Sequence, residues 1–493
     1  MKVTVTAAAP TAATAQAFVL PVFAGPAGAQ AGPGVAELGL ADVVMGSRFR
    51  GMVDERLLIG GRDSDPFRVA LLVGLGARAQ VDPATLRHAM AGAVRQLSRF
   101  DSIATTLAQA GESSGDSVAE AAAVAEGAWL GSYRAPSARS HHDDPVRIEQ
   151  LSVLVAAEEH RAAAQRAVDT VEVISSSLAW ARELIDRPAG ELTPALLADE
   201  ILRMGERYGL AVRVHDVDAL RTGGFGGILA VGGGSSNPPC LVEARHLGST
   251  GRFVALVGKG ITFDAGGLQL KGKQAMMDMR TDMAGAATML AVTQAAARLD
   301  CPVGVLAVAP LAENMPSGSA YRPGDIIRHR GGLTSEVMDT DAEGRIVLAD
   351  ALAYVTEHEP AAIVDAATLT YDVIRALGDQ IGGVLGSDTA LVAKLIEAGT
   401  AVGEPLWQLP LWAGYRRNID SPVADLRNQG GAYGDAIHAA LFLAEFCKGV
   451  PWAHLDIAGT AHRSLAEPDL PAGATGTGIR TVLHWLRSGA PLT

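Results

Sequence analysis

Short apolar runs alternate with amphipathic stretches in the first third of the chain. Ala17–Phe23 and Phe67–Leu75 are almost continuously apolar and have the length of buried strands. After the second run, Asp82 and Pro83 open an amphipathic stretch that continues to Phe100. Because proline suits the first turn of a helix, this stretch is predicted to be helical. The pattern therefore indicates an α/β domain.

The same alternation continues after residue 165. Strands are predicted at Phe253–Val257, Val303–Val308 and Ala362–Val364, and a helix is predicted at Ala284–Leu299. Strands that alternate with helices in this way form a parallel or mixed sheet with helices on both faces. This part of the chain is therefore also predicted to have an α/β fold.

A long helix and a polar loop help to divide the chain. The helix is predicted over Val171–Ile185 and must end before Pro188, because the residue before a proline disfavours the helical conformation. We place a domain boundary just before this helix, which gives two domains, residues 1–165 and 166–493. The segment Ser137–Pro145 contains two histidines but is predicted to be a surface loop, since adjacent residues rarely converge on one metal ion.

Composition and charge exclude several classes of function. A chain of 493 residues is long enough for about two to four domains. With 48% hydrophobic and 19% charged residues it can bury large cores. The 41 Lys and Arg face 54 Asp and Glu, which gives a formal charge of −13. This charge disfavours nucleic acids and anionic membrane surfaces as partners.

The cysteines and the apolar runs indicate the compartment. Cys240, Cys301 and Cys447 are too far apart in the sequence to form a metal knuckle or a disulfide framework, so they are expected to be buried thiols. The N-terminus lacks the charge pattern of a signal peptide. The longest apolar runs are shorter than the roughly 18 residues that a membrane span requires. We therefore expect a soluble, cytoplasmic protein.

Lysines, glycines and an aspartate directly follow the predicted strand Phe253–Val257. The sequence from Gly258 to Gly267 is GKGITFDAGG, which contains Lys259 and Asp264, and Lys271 comes shortly after it. α/β folds commonly build their sites in loops at strand ends. Glycines leave the backbone free to turn tightly there. We therefore expect both lysines and the aspartate to be presented at such an end.

A second acidic group precedes a predicted helix. Asp339–Arg345 reads DTDAEGR and is followed by IVLADALAYV, which has helical apolar spacing. Taken alone, these acids also fit a solvated turn that caps the helix. Asp278 and Asp282 are four residues apart and would share one helical face, but their spacing does not show which of them joins a site.

Together these segments predict a metal site. They offer hard oxygen donors and contain no cysteine or histidine; the candidate donors are Asp264, Asp282, Asp341 and Glu343. Such donors suit Mg²⁺, Mn²⁺ or a carboxylate-rich Zn²⁺ site. Four carboxylates can hold two divalent ions, which is an arrangement used for hydrolysis.

The blocks that carry these residues resemble the leucyl aminopeptidases, a family of two-metal exopeptidases. GKGITFDAGG and DTDAEGR are the most specific matches, and the resemblance covers the chain from about residue 165 to its end. The first domain matches only loosely, around FVLPVF. Further matching blocks are PAGELTP, AVGGGSSNPP, ENMPSG, YRPGD, DAATLT and WAHLDIAGTA.

The resemblance implies a role for each residue of the predicted site. Two Mn²⁺ or Zn²⁺ ions, with Mg²⁺ as a further candidate, would be held by Lys259, Asp264, Asp282, Asp341 and Glu343. Lys271 would polarise the scissile carbonyl, and Arg345 would hold a bicarbonate that moves a proton. The pocket for the N-terminal side chain would include Met279, Thr368, Leu369 and Tyr371.

The resemblance also implies a fold and an assembly. The second domain would be a mixed, mainly parallel sheet sandwiched by helices, and the protein would be a homohexamer that acts on peptide or aminoacyl substrates. Two residues depart from the family pattern: Asp339 stands where asparagine is usual, and Tyr371 stands where glycine is usual. A metal-dependent aminopeptidase is therefore predicted. The alternatives are a specialised aminoacyl amidase or dipeptidase with a pocket altered by Tyr371, and a non-catalytic binding protein.

Overall fold

A computed structural model describes most of the chain. Most of the predicted loop Ser137–Pro145, including its two histidines, lies outside the described residues. Within the part that is described, no helix is both long enough and apolar enough to cross a membrane. The described residues are 1–111, 117–140, 147–466 and 472–489.

The chain forms two compact units. The N-terminal unit is Met1–Ser176 with Leu465–Ala472, and the C-terminal unit is Ser177–Ser464 with Gly473–Thr493. The helix predicted from Val171 begins earlier, at Glu158, and ends at Asp186, so residue 165 lies inside it. Its first turns are polar and lack the apolar periodicity that predicts a helix, whereas its end agrees with the proline at position 188.

The N-terminal unit is built on a seven-stranded sheet. Its strands are β1 (Lys2–Thr6), β2 (Ala17–Gly25), β3 (Gly28–Ala31), β4 (Arg56–Gly60), β5 (Val69–Gly74), β6 (Ser102–Thr105) and β7 (Gln150–Leu154). Its helices are α1 (Ala41–Gly46), α2 (Pro83–Gln96) and α3 (Ser117–Ser132), and α4 (Glu158–Asp186) begins in it. The strand order is β1-β7-β6-β2-β5-β4, with β3 paired to β2.

The sequence pattern is confirmed in this unit. The predicted strands are β2 and β5, which pair in parallel at the centre of the sheet. The predicted helix is α2, and the side chain of Asp82 caps it by accepting a hydrogen bond from the backbone N–H of Thr85 at 2.8 Å. Only β3 and β4 run antiparallel to their neighbours in the described sheet. The N-terminal unit is therefore an α/β domain.

The C-terminal unit has a larger sheet and more helices. Its strands are β8 (Ala211–His215), β9 (Cys240–His246), β10 (Phe253–Gly258), β11 (Gly260–Asp264), β12 (Gly304–Asn314), β13 (Ile326–Arg328), β14 (Thr334–Glu336), β15 (Ile363–Ala367), β16 (Gly382–Gly386), β17 (Leu406–Gln408), β18 (Leu426–Arg427), β19 (Trp452–Asp456), β20 (His462–Arg463) and β21 (Gly473–Ala474). Its helices are α5 (Pro194–Tyr208), α6 (Val217–Thr222), α7 (Gly226–Gly232), α8 (Lys273–Met276), α9 (Ala284–Arg298), α10 (Glu343–Thr356), α11 (Tyr371–Leu377), α12 (Thr389–Val402), α13 (Asp435–Ala444) and α14 (Ile479–Arg487).

The main sheet of this unit is mixed and mainly parallel, as the resemblance implies. Its order is β17-β16-β19-β15-β10-β12-β9-β8, with β11 paired to β12. The central strands β19, β15, β10 and β12 run parallel to one another. Helix α9 packs against β10, β12 and β15, and α10 packs against β10 and β12. Because helices cover β10 and β12, the sequence of β10 and most of the sequence of β12 are continuous apolar runs.

One strand is longer than predicted, and the cysteines are as predicted. Strand β12 continues past Pro310 to Asn314, because β9 pairs with it as far as Leu311 and β11 pairs with Leu311–Asn314. The three cysteines are free and buried, as expected. The carboxyl ends of β11, β12 and β15 and the start of α10 bring the predicted site residues together.

Candidate active site

The predicted metal ligands lie at or next to the ends of strands and helices. Lys259 is the single residue between β10 and β11, and Asp264 is the last residue of β11. Glu343 is the first residue of α10. Asp282 follows a single turn of 3₁₀-helix at Met279–Thr281, just before α9. These four side chains are buried, and Asp341 is partly buried.

Lys259 is the centre of one half of the cluster. Its Nζ lies 2.8 Å from Asp282 Oδ1 and 2.8 Å from Glu343 Oε1. It also donates a hydrogen bond to the backbone oxygen of Thr368 at 3.1 Å. The lysine is 3% exposed, so these contacts replace water almost completely.

Lys271 forms the other half. Its Nζ lies 2.8 Å from Asp264 Oδ2 and 2.5 Å from Asp341 Oδ1. One carboxylate oxygen from each of Asp264, Asp341 and Glu343 lies within 4.8 Å of the others. The structure therefore gathers all five predicted metal ligands and Lys271 into one cluster of carboxylates and lysines.

Two glycines make room for this packing. Gly266 has φ +87°, and a Cβ there would lie 2.9 Å from Asp341 Oδ1. A Cβ on Gly344 would lie 2.7 Å from Lys259 Nζ. A larger residue at either position would therefore displace a side chain of the cluster.

Buried carboxylate oxygens without a protein partner show that the cluster suits divalent metal ions. Asp282 Oδ2 and Glu343 Oε2 are buried and accept no hydrogen bond from the described residues. A buried polar atom left unpaired costs about 1–3 kcal/mol, and more when it is charged. Divalent ions are bound by such oxygens, so the donor set fits the metals that the resemblance implies.

The pKa values of the metal-free cluster also indicate that its carboxylates require cations. Burial raises the pKa of Asp282 to about 6, although Lys259 acts in the opposite direction. Burial and the neighbouring carboxylates Glu343 and Asp282 also raise the pKa of Asp264. Burial disfavours the Lys259 ammonium, but the surrounding carboxylates outweigh it and raise the pKa of the amine. Without metal ions, the protons of the lysines compensate the buried acids.

The structure shows which of Asp278 and Asp282 joins the cluster, which their spacing in the sequence does not show. Asp282 is buried against Lys259, whereas Asp278 is exposed at the start of the single 3₁₀ turn. The turn is 3₁₀ rather than α-helical, so a separation of four residues does not place them on one face.

Asn314 and Asp339, neither of which was predicted to be a site residue, hold the metal loops in place. Asn314 Nδ2 donates to Asp264 Oδ1 at 2.8 Å and to the backbone oxygen of Thr340 at 2.9 Å. Asp339 Oδ1 accepts a hydrogen bond from the backbone N–H of Asp341 at 2.8 Å. The position of Asn314 at the end of a buried strand, in the block ENMPSG, was the one available signal for it.

The predicted pocket residues lie around the loop between β15 and α11. Thr368 Oγ1 donates to Asp282 Oδ1 at 2.7 Å, and the backbone N–H of Leu369 donates to Asp456 Oδ1 at 3.2 Å. Tyr371 is the first residue of α11 and is 49% exposed. Met279 opens the 3₁₀ turn beside Asp282 and is partly buried.

Arg345 is close to the cluster in sequence but is bound elsewhere. It is the third residue of α10 and is 2% exposed. Its two terminal nitrogens contact both carboxylate oxygens of Asp435, at 3.0 and 2.8 Å. Nη1 also donates to the backbone oxygen of Asn428 at 2.7 Å. Nothing in the sequence indicated Asp435, which is 90 residues away from Arg345.

Family comparisons cover both units. Residues 179–483 match the catalytic domain of the cytosol aminopeptidase family, and residues 19–142 match its N-terminal domain. A probable cytosol aminopeptidase of a Geobacter species is 41% identical over 426 residues, 86% of each chain. That of Micrococcus luteus is 40% identical over 514 aligned residues, 99% of this chain and 98% of the relative.

Solved structures agree in fold and extent. The bottromycin maturation enzyme BotP in complex with Mn has 37% identity and a TM-score of 0.86, covering 96% of this chain and 99% of that one. A tomato leucine aminopeptidase mutant has 28% identity and a TM-score of 0.86, covering 99% of this chain and 96% of that one. The chain therefore belongs to the cytosol aminopeptidase family and is a metal-dependent aminopeptidase that hydrolyses peptides at their N-terminus.

Proposed function

We propose that this aminopeptidase works with two divalent metal ions held by its buried cluster and with Lys271 as a catalytic residue. The observation that carries the proposal is the pair of buried, unpartnered oxygens, Asp282 Oδ2 and Glu343 Oε2, beside Lys259. The five residues that would hold the ions are Lys259, Asp264, Asp282, Asp341 and Glu343. We propose Mn²⁺ or Zn²⁺, with Mg²⁺ as a third candidate.

Lys259 can join a metal site only after it loses a proton, since a lysine ligates as the free amine. The carboxylates of Asp282 and Glu343 that now hold its ammonium would then turn toward the ions. When bound, two divalent ions lower the pKa of a water and polarise a carbonyl. Metal binding at the cluster would therefore release the proton of Lys259.

Lys271 is suited to act on the substrate as an ammonium. Burial disfavours its charge, but Asp264, Glu343 and Asp341 outweigh burial and raise its pKa, so it is an ammonium in the metal-free cluster. A fixed cation near the scissile carbonyl stabilises the negative charge that develops on the oxygen. One such interaction lowers the activation free energy by about 3 kcal/mol.

The test uses two neighbouring lysines. Lys271→Ala is expected to lower kcat about a hundredfold or more on leucine p-nitroanilide in the presence of Mn²⁺ or Zn²⁺. Lys273→Ala is the matched control, because Lys273 is exposed and outside the cluster, and it should keep wild-type kcat. Equal activity of both variants would show that Lys271 is not a catalytic residue. Activity that does not depend on added metal would show that the cluster does not act by binding metal ions.

A narrower substrate range is the second candidate, and Tyr371 favours it. Its backbone follows directly on the loop of Thr368 and Leu369, and its exposed ring is available to a bound peptide. One structural relative is a bottromycin maturation enzyme, so members of this fold do act in specialised roles. Tyr371→Gly should broaden the profile across aminoacyl p-nitroanilides; an unchanged profile would show that this residue does not select the substrate.

The remaining proposals rest on family membership. We propose that the protein assembles as a homohexamer in the cytoplasm and that its substrates are peptides rather than nucleic acids. Light scattering coupled to size-exclusion chromatography tests the assembly directly. A monomeric mass at micromolar concentration, with activity retained, would contradict it.

A further inference from the structure

The guanidinium of Arg345 already binds an anion that belongs to the protein. Nη1 donates to Asp435 Oδ1 at 3.0 Å and Nη2 donates to Asp435 Oδ2 at 2.8 Å. This is the bidentate geometry in which arginine binds planar oxyanions most strongly. The arginine is 2% exposed, so the pair is largely shielded from water on that side.

The bicarbonate implied by the resemblance does not fit this arrangement. Bicarbonate is a planar oxyanion and would use the same pair of N–H groups as a carboxylate. Nη1 additionally donates to the backbone oxygen of Asn428 at 2.7 Å. Nε is buried and has no acceptor among the described residues, but an anion on that edge would lie next to the charge of Asp435 and be repelled by it.

We propose that Asp435 is the resident anion of Arg345, and that this aminopeptidase therefore works without bicarbonate. Asp435 is a positioning residue: it acts through Arg345 by fixing the guanidinium and compensating its charge. The proposal rests on the proposed function, because Arg345 lies two residues after Glu343, one of the proposed metal ligands.

The fold holds Asp435 in place from two sides. Gly434, with φ +74°, precedes it, and Asp435 is the first residue of α13. Its backbone N–H donates to Asp372 Oδ2 at 2.8 Å, and Asp372 is the second residue of α11. Asp435 therefore joins the start of α10, through Arg345, to the start of α11, which follows the pocket loop.

Asn428 continues this connection to the metal loop. Its carbonyl accepts from Arg345, while its side-chain Oδ1 accepts from the backbone N–H of Met338 at 2.7 Å. Its Nδ2 donates to the backbone oxygen of Asp339 at 2.6 Å. A shift of the guanidinium would therefore reach the loop that carries Asp341.

The charge of Asp435 is kept at neutral pH, and its site is open to small ions. Burial opposes ionisation, but the Arg345 guanidinium outweighs it and holds the pKa of Asp435 below its usual value. The aspartate side chain is 25% exposed, compared with 2% for the arginine. If the carboxylate is removed, a small anion can enter from solvent and bind the two N–H groups of Arg345 that Asp435 occupied; this vacated pair of donors is called the vacant fork below.

The experiment replaces the internal anion with an external one. Asp435→Ala and wild type, both loaded with Mn²⁺, are assayed in buffer depleted of carbon dioxide and then titrated with bicarbonate or formate. The variant should lose about tenfold or more in kcat, because its arginine is no longer fixed, and should recover with either planar anion but not with chloride. Wild type should change by less than about twofold across the same titration.

Binding is measured separately from activity. Bicarbonate should raise the thermal unfolding midpoint of Asp435→Ala and leave that of wild type unchanged, because only the variant has a vacant fork. This readout survives even if the proposed function fails, since it requires no turnover. The double variant that also carries Arg345→Ala should show no recovery and no shift.

Two further variants keep the test decisive. Asp435→Ser also removes the carboxylate from the guanidinium, and it replaces Asp435→Ala in the titrations if that variant does not fold. Glu445→Gln removes a carboxylate that pairs with Arg416 just beyond the other end of α13, and it should respond to neither anion. Activation of wild type by bicarbonate as strong as that of Asp435→Ala, or folded Asp435 variants that ignore both anions, would overturn the proposal.

Discussion

At the scale of single residues, burial decides which of two equivalent carboxylates can bind a metal. Asp282 is 4% exposed and contacts Lys259, whereas Asp278 is exposed on the other side of one 3₁₀ turn. Their chemistry is the same, so the difference lies in the surroundings alone. A carboxylate that is buried beside other acids requires cations to compensate it, and one in water does not.

This pair gives a direct prediction about metal affinity. Asp282→Asn should weaken Mn²⁺ binding about a hundredfold or more and lower kcat/KM accordingly, because a charged ligand is lost. Asp278→Asn should change both by less than about twofold. Titration of the apoprotein by calorimetry, followed by a peptide assay, checks both variants. A comparable loss in the two would show that burial is not what distinguishes them.

The same scale shows where sequence reasoning stops. Lys259, Asp264 and Glu343 could be predicted because each lies in a contiguous block next to a strand or helix end. Asp435 could not, because it reaches Arg345 from a segment 90 residues away and no local pattern accompanies it. Contacts of this kind depend on the packing of α10 against α13, which a periodic pattern does not specify.

At the scale of elements, a buried ion pair joins two central strands. Asp365 of β15 lies opposite His454 of β19, and its Oδ1 is 2.6 Å from His454 Nδ1. Trp452 Nε1 donates to the second oxygen at 2.6 Å. Burial lowers the pKa of His454, but Asp365 outweighs it and raises the pKa above its usual value. The pair therefore favours a protonated histidine between the strands.

A pH dependence of stability follows from this pair. A histidine whose pKa is higher in the folded than in the unfolded state stabilises the fold fully below its unfolded pKa, and this stabilisation is lost as pH rises through the folded pKa. Asp365→Asn should thus lower the free energy of unfolding by about 3 kcal/mol near pH 6 and by less near pH 9.

Urea unfolding at the two pH values, with chelator present, measures this difference. The control is Glu357→Gln, which breaks the partly exposed pair with Arg330 and should cost less than about 1 kcal/mol at both pH values. A cost of Asp365→Asn that stays constant with pH would show that the histidine is not protonated in the folded protein.

Elements were predictable where apolar spacing reached their ends. Strand β10 and helices α9 and α10 follow that spacing closely. Helix α4 begins earlier than predicted because its first turns are polar, and β12 runs past Pro310 because neighbouring strands pair with it. Helix starts and strand ends are therefore set by partners as much as by local pattern.

At the scale of the whole molecule, the acidic surplus is partly concentrated in one place. The chain carries a formal charge of −13, and four of its carboxylates face each other around two lysines in the C-terminal unit. A buried cluster with more acids than bases is destabilising unless cations are added. Metal binding should therefore stabilise this unit specifically, because all five proposed ligands lie within its segment Ser177–Ser464.

Differential scanning calorimetry with and without chelator tests that expectation. At a Mn²⁺ concentration of about one hundred times Kd, the C-terminal unit should gain about 2.7 kcal/mol, which raises its unfolding midpoint by several degrees. The transition of the N-terminal unit should not move. The double variant of Asp282→Asn and Glu343→Gln serves as the control, since it removes two proposed ligands and should abolish the response to Mn²⁺. It also leaves the buried Lys259 ammonium without its two carboxylate partners, so the midpoint of the metal-free unit should fall. If chelation instead lowers both transitions equally, the stabilising metals are bound outside the cluster.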